Sequence, residues 1–344
     1  MRFSGKGLAA FLLLGVLLGG CLSQEQAAPS VQPTVATPTP SPVYATPSIP
    51  SPSLQPSPAP SPAEPSPEIV REFWQYGGIA IPGTYADANI VNVGNGVFRL
   101  YYSIEPEVPG NKLELYSATS TDGKTWVTEE GVRKDWATFP DVVKLSDGRF
   151  RLYFQNAGVI KSALSTDGLS WEDEQGVRID ASNSLGLVFE NVAAPTVVYS
   201  DGEYVMVYRG TINQKYPADV PNPNTQLFLY ATSKDGLEFV KKGLALDSRN
   251  SQFNGLLDGP AWAEWDDGSL RLYFWSYAGI YHVVFENGVF SEAEFDYTTS
   301  ENAASPAKFP PNPPGDPTLA KIGGVWQLYY GIHTKGIHYA TLRP

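Results

Sequence analysis

One strand–turn–strand pattern occurs five times in this chain, and few folds can accommodate it. Residues 139–154, FPDVVKLSDGRFRLYF, read as a short apolar strand opened by an acid, a Ser-Asp-Gly turn, and an alternating strand that ends in aromatics. The other copies are residues 85–103 (YADANIVNVGNGVFRLYYS), 192–210 (VAAPTVVYSDGEYVMVYRG), 258–276 (DGPAWAEWDDGSLRLYFWS) and 315–331 (GDPTLAKIGGVWQLYYG). Asp87 to Asp141 is 54 residues, Asp141 to Pro195 is again 54, and the later steps are slightly longer. A third strand follows in at least three repeats (residues 113–120, 159–165 and 227–233), then a turn and room for a fourth. No stretch shows helical periodicity. All-strand repeats of this length stack radially, because one blade alone cannot bury its apolar face. The pattern predicts an all-β, five-bladed β-propeller of four-stranded antiparallel blades. Residues 73–81 are the candidate for the strand that closes the ring with the last blade.

The propeller occupies residues 68–344. Ahead of it, nearly half of the 30 prolines crowd into residues 27–67 among Ser, Thr and Ala. That composition cannot bury a core and favours an extended, polyproline-like spacer. Residues 21–67 are therefore expected to be a disordered tether. Residues 1–20 have the layout of a secretory signal: Arg2 and Lys6, an apolar run, then small residues. Leu18-Gly19-Gly20-Cys21 resembles the lipobox of prokaryotic lipoproteins, with Cys21, the only cysteine, at the lipidated position. A single cysteine also rules out an intramolecular disulfide. The expected location is the cell surface, lipid-anchored and facing away from the cytoplasm. The formal net charge of −12 argues against nucleic acid as a partner, since phosphate backbones reward basic surfaces. A monomer is expected.

Three turns share a signature: STDGKTW (120–126), STDGLSW (165–171) and SKDGLEF (233–239). They resemble the Asp-box of sialidases with one residue fewer. Asp and Gly make the turn and the aromatic packs between sheets, so Asp122, Asp167 and Asp235 are given no chemical role.

The acids that open the inner strands are different. A propeller's innermost strands line its central channel, so Asp87, Asp141, Asp258 and Asp316 are expected to converge at one mouth. One such Asp is accounted for by a local turn cap. Four at equivalent places point to a shared site, because clustered carboxylates repel unless they hold a proton, a cation or a polyhydroxylated ligand. Hydrolysis of a glycosidic bond uses such a cluster: one carboxylate activates water or attacks the anomeric carbon, and a protonated one donates to the leaving oxygen.

With these residues in hand, the repeat resembles the five-bladed propellers of the arabinanase, levansucrase and invertase superfamily, which includes glycoside hydrolase families 43 and 32. The Asp-opened inner strands, the second strands ending in aromatics and the Asp-Gly turns carry the resemblance across essentially the whole folded part. For family 43 it implies a base on the first blade, a tuning Asp on the second and a Glu acid in an E-G-P motif on the third. By position, Asp87 resembles the base and Asp141 the tuner. The third blade departs from the pattern: Ala193-Ala194-Pro195 stands where E-G-P is expected. Either Glu190 or Asp258 (in an Asp-Gly-Pro one blade later) takes the acid role, or the propeller has lost the acid and binds sugar without cleaving it. Glu190 has Phe189 beside it as an apolar neighbour. Asp316, Arg209, Trp136 and His333 are candidates for substrate contacts. Trp74, Trp262, Trp265 and Trp275 are further aromatics beyond what the turns need. Residues 211–226 are read as a long loop overhanging one face. No cofactor is required, although an oxygen-rich channel suits Ca2+. The expected partner is an oligo- or polysaccharide.

Overall fold

Alternation of apolar and polar residues along short strands, punctuated by Asp-Gly and Asn-Gly turns, gives antiparallel meanders, and the chain folds as five of them. The computed structural model describes residues 73–249 and 252–343. The signal, the tether and Cys21 lie outside the described residues. From the channel outward, blade 1 comprises Tyr85–Gly94, Val97–Ile104, Leu115–Ser120 and Val127–Thr128. Blade 2 comprises Thr138–Lys144, Phe150–Asn156, Val159–Ser165 and Glu172–Asp173. Blade 3 comprises Phe189–Ser200, Glu203–Lys215, Asn224–Ser233 and Val240–Leu246. Blade 4 comprises Asp258–Glu264, Leu270–Ser276, Gly279–Glu286 and Val289–Phe290, with Glu294–Tyr297 also paired to its third strand. Blade 5 comprises Gly315–Ile322, Val325–Ile332 and Gly336–Arg343, and Phe73–Ile81 pairs antiparallel with Gly336–Arg343 as its outermost strand. The first described strand thus completes the last blade. Among the described residues no helix is long and apolar enough to cross a membrane.

Neighbouring blades dock through the Asp-Gly turns. Ser120 Oγ donates to the Asp122 carboxylate, which also accepts from the backbone N–H groups of Lys124 and Thr125; Asp167 and Asp235 repeat this. The turn then presents its carbonyls to the second strand of the preceding blade. Tyr101 donates to Gly168 O at 2.7 Å, Tyr153 to Gly236 O at 2.8 Å and Tyr329 to Gly123 O at 2.7 Å. Arg99, Arg151 and Gln327, two residues earlier, reach the carbonyls of Asp167, Asp235 and Asp122. Blade 4 lacks such a turn, and blade 3 accordingly carries Val205 and Val207 at the two donor positions.

Every inner strand breaks its register at one shared level. Ala86 and Asn89, Thr138 and Asp141, Ala193 and Thr196, Asp258 and Ala261, and Gly315 and Thr318 flank the breaks. In each, two inner-strand residues oppose one on the second strand, which is a β-bulge. Position by position, Asp141 therefore matches Asn89, Thr196, Ala261 and Thr318. It does not match Asp87, as its nearness to the strand start had suggested.

This post-bulge position forms a belt of hydrogen bonds between blades. Val142 N–H donates to Asn89 Oδ1 (3.0 Å), Val197 N–H to Asp141 Oδ2 (2.9 Å), Trp262 N–H to Thr196 Oγ1 (3.2 Å) and Ile90 N–H to Thr318 Oγ1 (3.2 Å). Ala261 is the one member without a side-chain acceptor. Asp141 also accepts from Asn89 Nδ2 and Thr196 Oγ1. Below the belt the channel widens to about 710 Å³ and opens on the far face. Asp141 lines that wide end, away from the expected mouth.

Burial raises the Asp141 carboxyl from 3.8 to about 7, against the pull of Val197 N–H and Thr196. The folded state thus holds a proton that the unfolded chain releases. Its stabilising contribution is complete below pH 3.8 and is lost as pH rises through about 7. Asp141→Ala removes three hydrogen bonds and is expected to lower unfolding stability by about 2–3 kcal/mol at pH 5. Asp141→Asn should flatten the fall of the denaturation midpoint between pH 5 and 8, as read from urea titrations.

A candidate active site at the narrow end of the channel

The first bulge residue sits in the left-handed region in all five blades: Asp87 (φ 54°), Phe139 (49°), Ala194 (46°), Gly259 (55°) and Asp316 (48°). Non-glycine residues rarely adopt this conformation. Proline follows in four of the five, where a backbone N–H would lack a ladder partner. These ten residues pinch the channel to a cavity of about 20 Å³, room for one water. The pinch brings blades 4 and 5 into contact: a Cβ on Gly259 would stand 2.5 Å from Asp316 Oδ1 and 2.6 Å from its Cα. Only glycine fits there.

Two of the five left-handed residues are acids. Asp87 accepts from Phe139 N–H at 3.2 Å, and Asp316 accepts from the Trp275 indole Nε1 at 3.0 Å. Asp258 occupies the position just before the bulge on blade 4, buried and paired with Arg209. The Arg209 guanidinium also lies 5.0 Å from the centre of the Phe139 ring. The register explains this grouping. Ser103, Gln155, Arg209, Trp275 and Gly331 each pair with a pre-bulge residue, so the second strands send side chains to the same level.

The environments of the two left-handed acids set their protons apart. Burial, and then the nearby Asp258, raise Asp87 to about 6, while Phe139 N–H, Ser103 and Arg209 pull it down. Burial, and then Asp87 and Asp258, hold Asp316 well above the carboxylate range, with Trp275 and Arg209 in partial opposition. Adjacent carboxyls of unequal environment are the arrangement that yields one proton donor and one acceptor at neutral pH.

Three of the four expected channel acids, Asp87, Asp258 and Asp316, thus come together with Arg209. The fourth, Asp141, does not join them. Glu190 is an exposed bulge residue at the start of blade 3's inner strand, without a hydrogen bond or ion pair among the described residues. Trp136 is 54% exposed and lies two residues ahead of the blade 2 pre-bulge residue Thr138, on the rim. His333 is not in the cluster. It follows blade 5's second strand and puts Nδ1 3.3 Å from Glu105.

Glu105, Glu107 and His333 form the one group among the described residues with three ligand atoms close enough to share a metal ion. The channel carboxylates do not form such a group among the described residues. The positive charge beside them is Arg209.

Residues 211–226 are loop only at their tip: 211–215 and 224–226 are strand. Blade 3's second and third strands continue through Thr211↔Gln226, Ile212↔Thr225 and Lys215↔Asn224, which makes an arm extending from the narrow end. Thr211 and Ile212, both β-branched and buried, favour that extension.

Trp74, Trp265 and Trp326 pack on one another, and Trp262 packs on Phe285 and Phe290. Of the further tryptophans considered, Trp275 alone touches a site acid. Sequence reasoning missed Ser103, the Phe139 amide and the Trp275–Asp316 bond. The shared final position of the second strands was the available signal.

No protein-family model matches the chain, and no curated protein sequence matches it. Solved structures do. A thermostable family-43 glycoside hydrolase superposes with TM-score 0.58 at 14% identity, covering 78% of this chain and 91% of its own. A structure from work on glycoside hydrolases of the GH130 family that target β-1,2 mannosidic linkages in Candida mannan gives 0.56 at 12%, covering 80% and 95%. The endo-arabinase from Bacteroides thetaiotaomicron gives 0.52 at 17%, covering 78% and 97%. At these identities the likeness establishes the fold: a five-bladed β-propeller with structural neighbours in family 43 and related propeller glycosidases.

Arg209→Met leaves the Asp258 carboxylate without its partner and is expected to cost about 3–5 kcal/mol of stability. Arg209→Met combined with Asp258→Asn should recover at least half of that loss. A double-mutant cycle by chemical denaturation measures the coupling.

Proposed function

We propose that this propeller acts on extracellular glycans as a glycoside hydrolase-like protein, with Asp316 as general acid and Asp87 as general base. The observation that carries the reading is that these two carboxyls hold the same left-handed bulge position on adjoining blades yet stand in different electrostatic surroundings. Asp316, whose proton burial and the neighbouring acids hold well above the ordinary carboxylate range, gives it to the glycosidic oxygen as the bond to the anomeric carbon breaks. Asp87, ionised above about pH 6, takes a proton from the water that attacks that carbon. The products are a hemiacetal and a freed hydroxyl, and proton exchange with solvent resets both acids. Arg209 balances Asp258, so the pair adds little net charge to the site. Trp136 on the rim and the blade 3 arm offer a stacking face and a wall for the sugar chain. The proposed reaction needs no cofactor.

A second reading, a glycan-binding propeller without turnover, is favoured by the 20 Å³ neck, which is too small for a sugar ring, and by Ala193 at the place of the family-43 acid. On the hydrolase reading the sugar sits above the neck and only the attacking water enters it. Both readings place the domain on the cell surface as a monomer, held by a lipid on Cys21 through the tether of residues 21–67.

Hydrolysis of a polysaccharide panel that includes β-1,2-linked mannan tests the chemistry. Asp87→Asn and Asp316→Asn should each lower kcat by about 10²-fold or more. The wild-type rate should rise with pH through about 6 as Asp87 ionises, then fall where Asp316 loses its proton. Binding without any turnover by the wild type would select the second reading. For the anchor, Cys21→Ser should release the protein from the membrane fraction into the medium.

A further inference from the structure

Beside the last blade, on the channel's narrow-end face, lies a second cavity of about 170 Å³. Ile332, the last residue of blade 5's second strand, and Lys335 just beyond it border the cavity, and Thr299, Ser300 and Asn312 border it from the segment leading into that blade. Its other walls are aromatic. Tyr330 stacks on His338 at 5.9 Å, Tyr76 lies 6.0 Å from the same imidazole, and the hydroxyls of Tyr297 and Tyr330 are 2.8 Å apart.

His338 is the unexplained member. It is only 9% exposed, Tyr76 Oη sits 3.3 Å from Nδ1, and Nε2 is buried with no partner that meets hydrogen-bond geometry. Native proteins seldom leave such an atom unmet, because its lost hydration is not replaced. The channel chemistry makes no use of it. Burial holds the imidazole below its usual range, against the pull of the Lys335 carbonyl, so the ring is neutral at pH 7.

The lining specifies a ligand class. Glu301 and Lys335, the charged residues at this cavity, pair with each other at 3.1 Å, so the walls offer no net charge to an ion. What remains is phenol, imidazole, amide and hydroxyl groups beside flat aromatic faces. That combination suits a neutral ring with hydroxyls on its edge and C–H groups on its face. The volume is below the usual range for drug-sized ligands and suits a single ring.

We infer that this cavity is a second carbohydrate site that takes one neutral sugar residue, with His338 Nε2 as its buried hydrogen-bonding group and Tyr76 as its lip. The inference rests on the glycan reading only for the choice of probe; the cavity and the orphaned nitrogen stand without the channel chemistry.

The test uses the full chain carrying Asp87→Asn, so that any turnover at the channel is suppressed. The chain has three histidines, His282, His333 and His338, so a 15N-histidine spectrum reports three rings. Titration with D-glucose, D-mannose and L-arabinose should shift the His338 Nε2 resonance saturably with at least one sugar and leave His282 unmoved. Tyr76→Ala, a change at an exposed side chain, should weaken that response about tenfold or more, with the His282 signal as the check on folding. No saturable shift at His338 with any of the three sugars overturns the inference, as does a response that Tyr76→Ala leaves unchanged. A His338 response in a protein whose wild type shows no hydrolysis would sink the hydrolase reading and keep this one.

Discussion

The bulge that breaks each inner strand is the constraint on which the rest of the structure depends. It forces one residue per blade into the left-handed region and narrows the channel to a neck. Such conformations cost on the order of 1–3 kcal/mol each and persist only when the surroundings over-determine them. Two features supply that here. Below the neck, side chains of Asn89, Asp141, Thr196 and Thr318 accept backbone N–H groups of the next blade. Farther out, Tyr101, Tyr153 and Tyr329 fasten the Asp-Gly turns of neighbouring blades. The same strain re-aims Asp87 and Asp316 and presses Gly259 against Asp316.

The neck also creates the electrostatics. Burial disfavours every carboxylate brought there, and the three acids disfavour one another. Arg209 relieves this unevenly, because its guanidinium bonds to Asp258 and reaches Asp87 and Asp316 only through the field. One arginine among three acids thus leaves a single ion pair and two carboxyls with raised proton affinity. A site in which every acid had its own cation would hold no proton to donate.

Blade number, blade spacing and the structural role of the Asp-Gly turns were legible because each depends on local chemistry repeated along the chain. The level of each acid was not, because one inserted residue shifts everything that follows it. Aligned on their acids, Asp87, Asp141, Asp258 and Asp316 look equivalent. Aligned on Pro140, Pro195, Pro260 and Pro317, they separate: Asp258 stands two residues before the proline, Asp316 one before, and Asp141 one after. The proline is the better marker, because it occupies the bulge where no ladder bond is made. The 211–226 arm was hidden by its Pro- and Asn-rich tip, and the company of His333 by a contact between residues more than two hundred apart in sequence. Pairings of that kind leave no trace in a single sequence.

The claim that the neck divides two carboxyls into a donor and an acceptor is open to direct titration. Carboxyl-carbon NMR of protein labelled at aspartate, with Asp87→Asn and Asp316→Asn spectra for assignment, follows each proton as pH is varied. The account predicts that Asp87 titrates near 6 and Asp316 above it, with the Asp316 midpoint falling when Asp87 is neutralised. Both carboxyls titrating near 4, the ordinary value for an exposed aspartate, would contradict it.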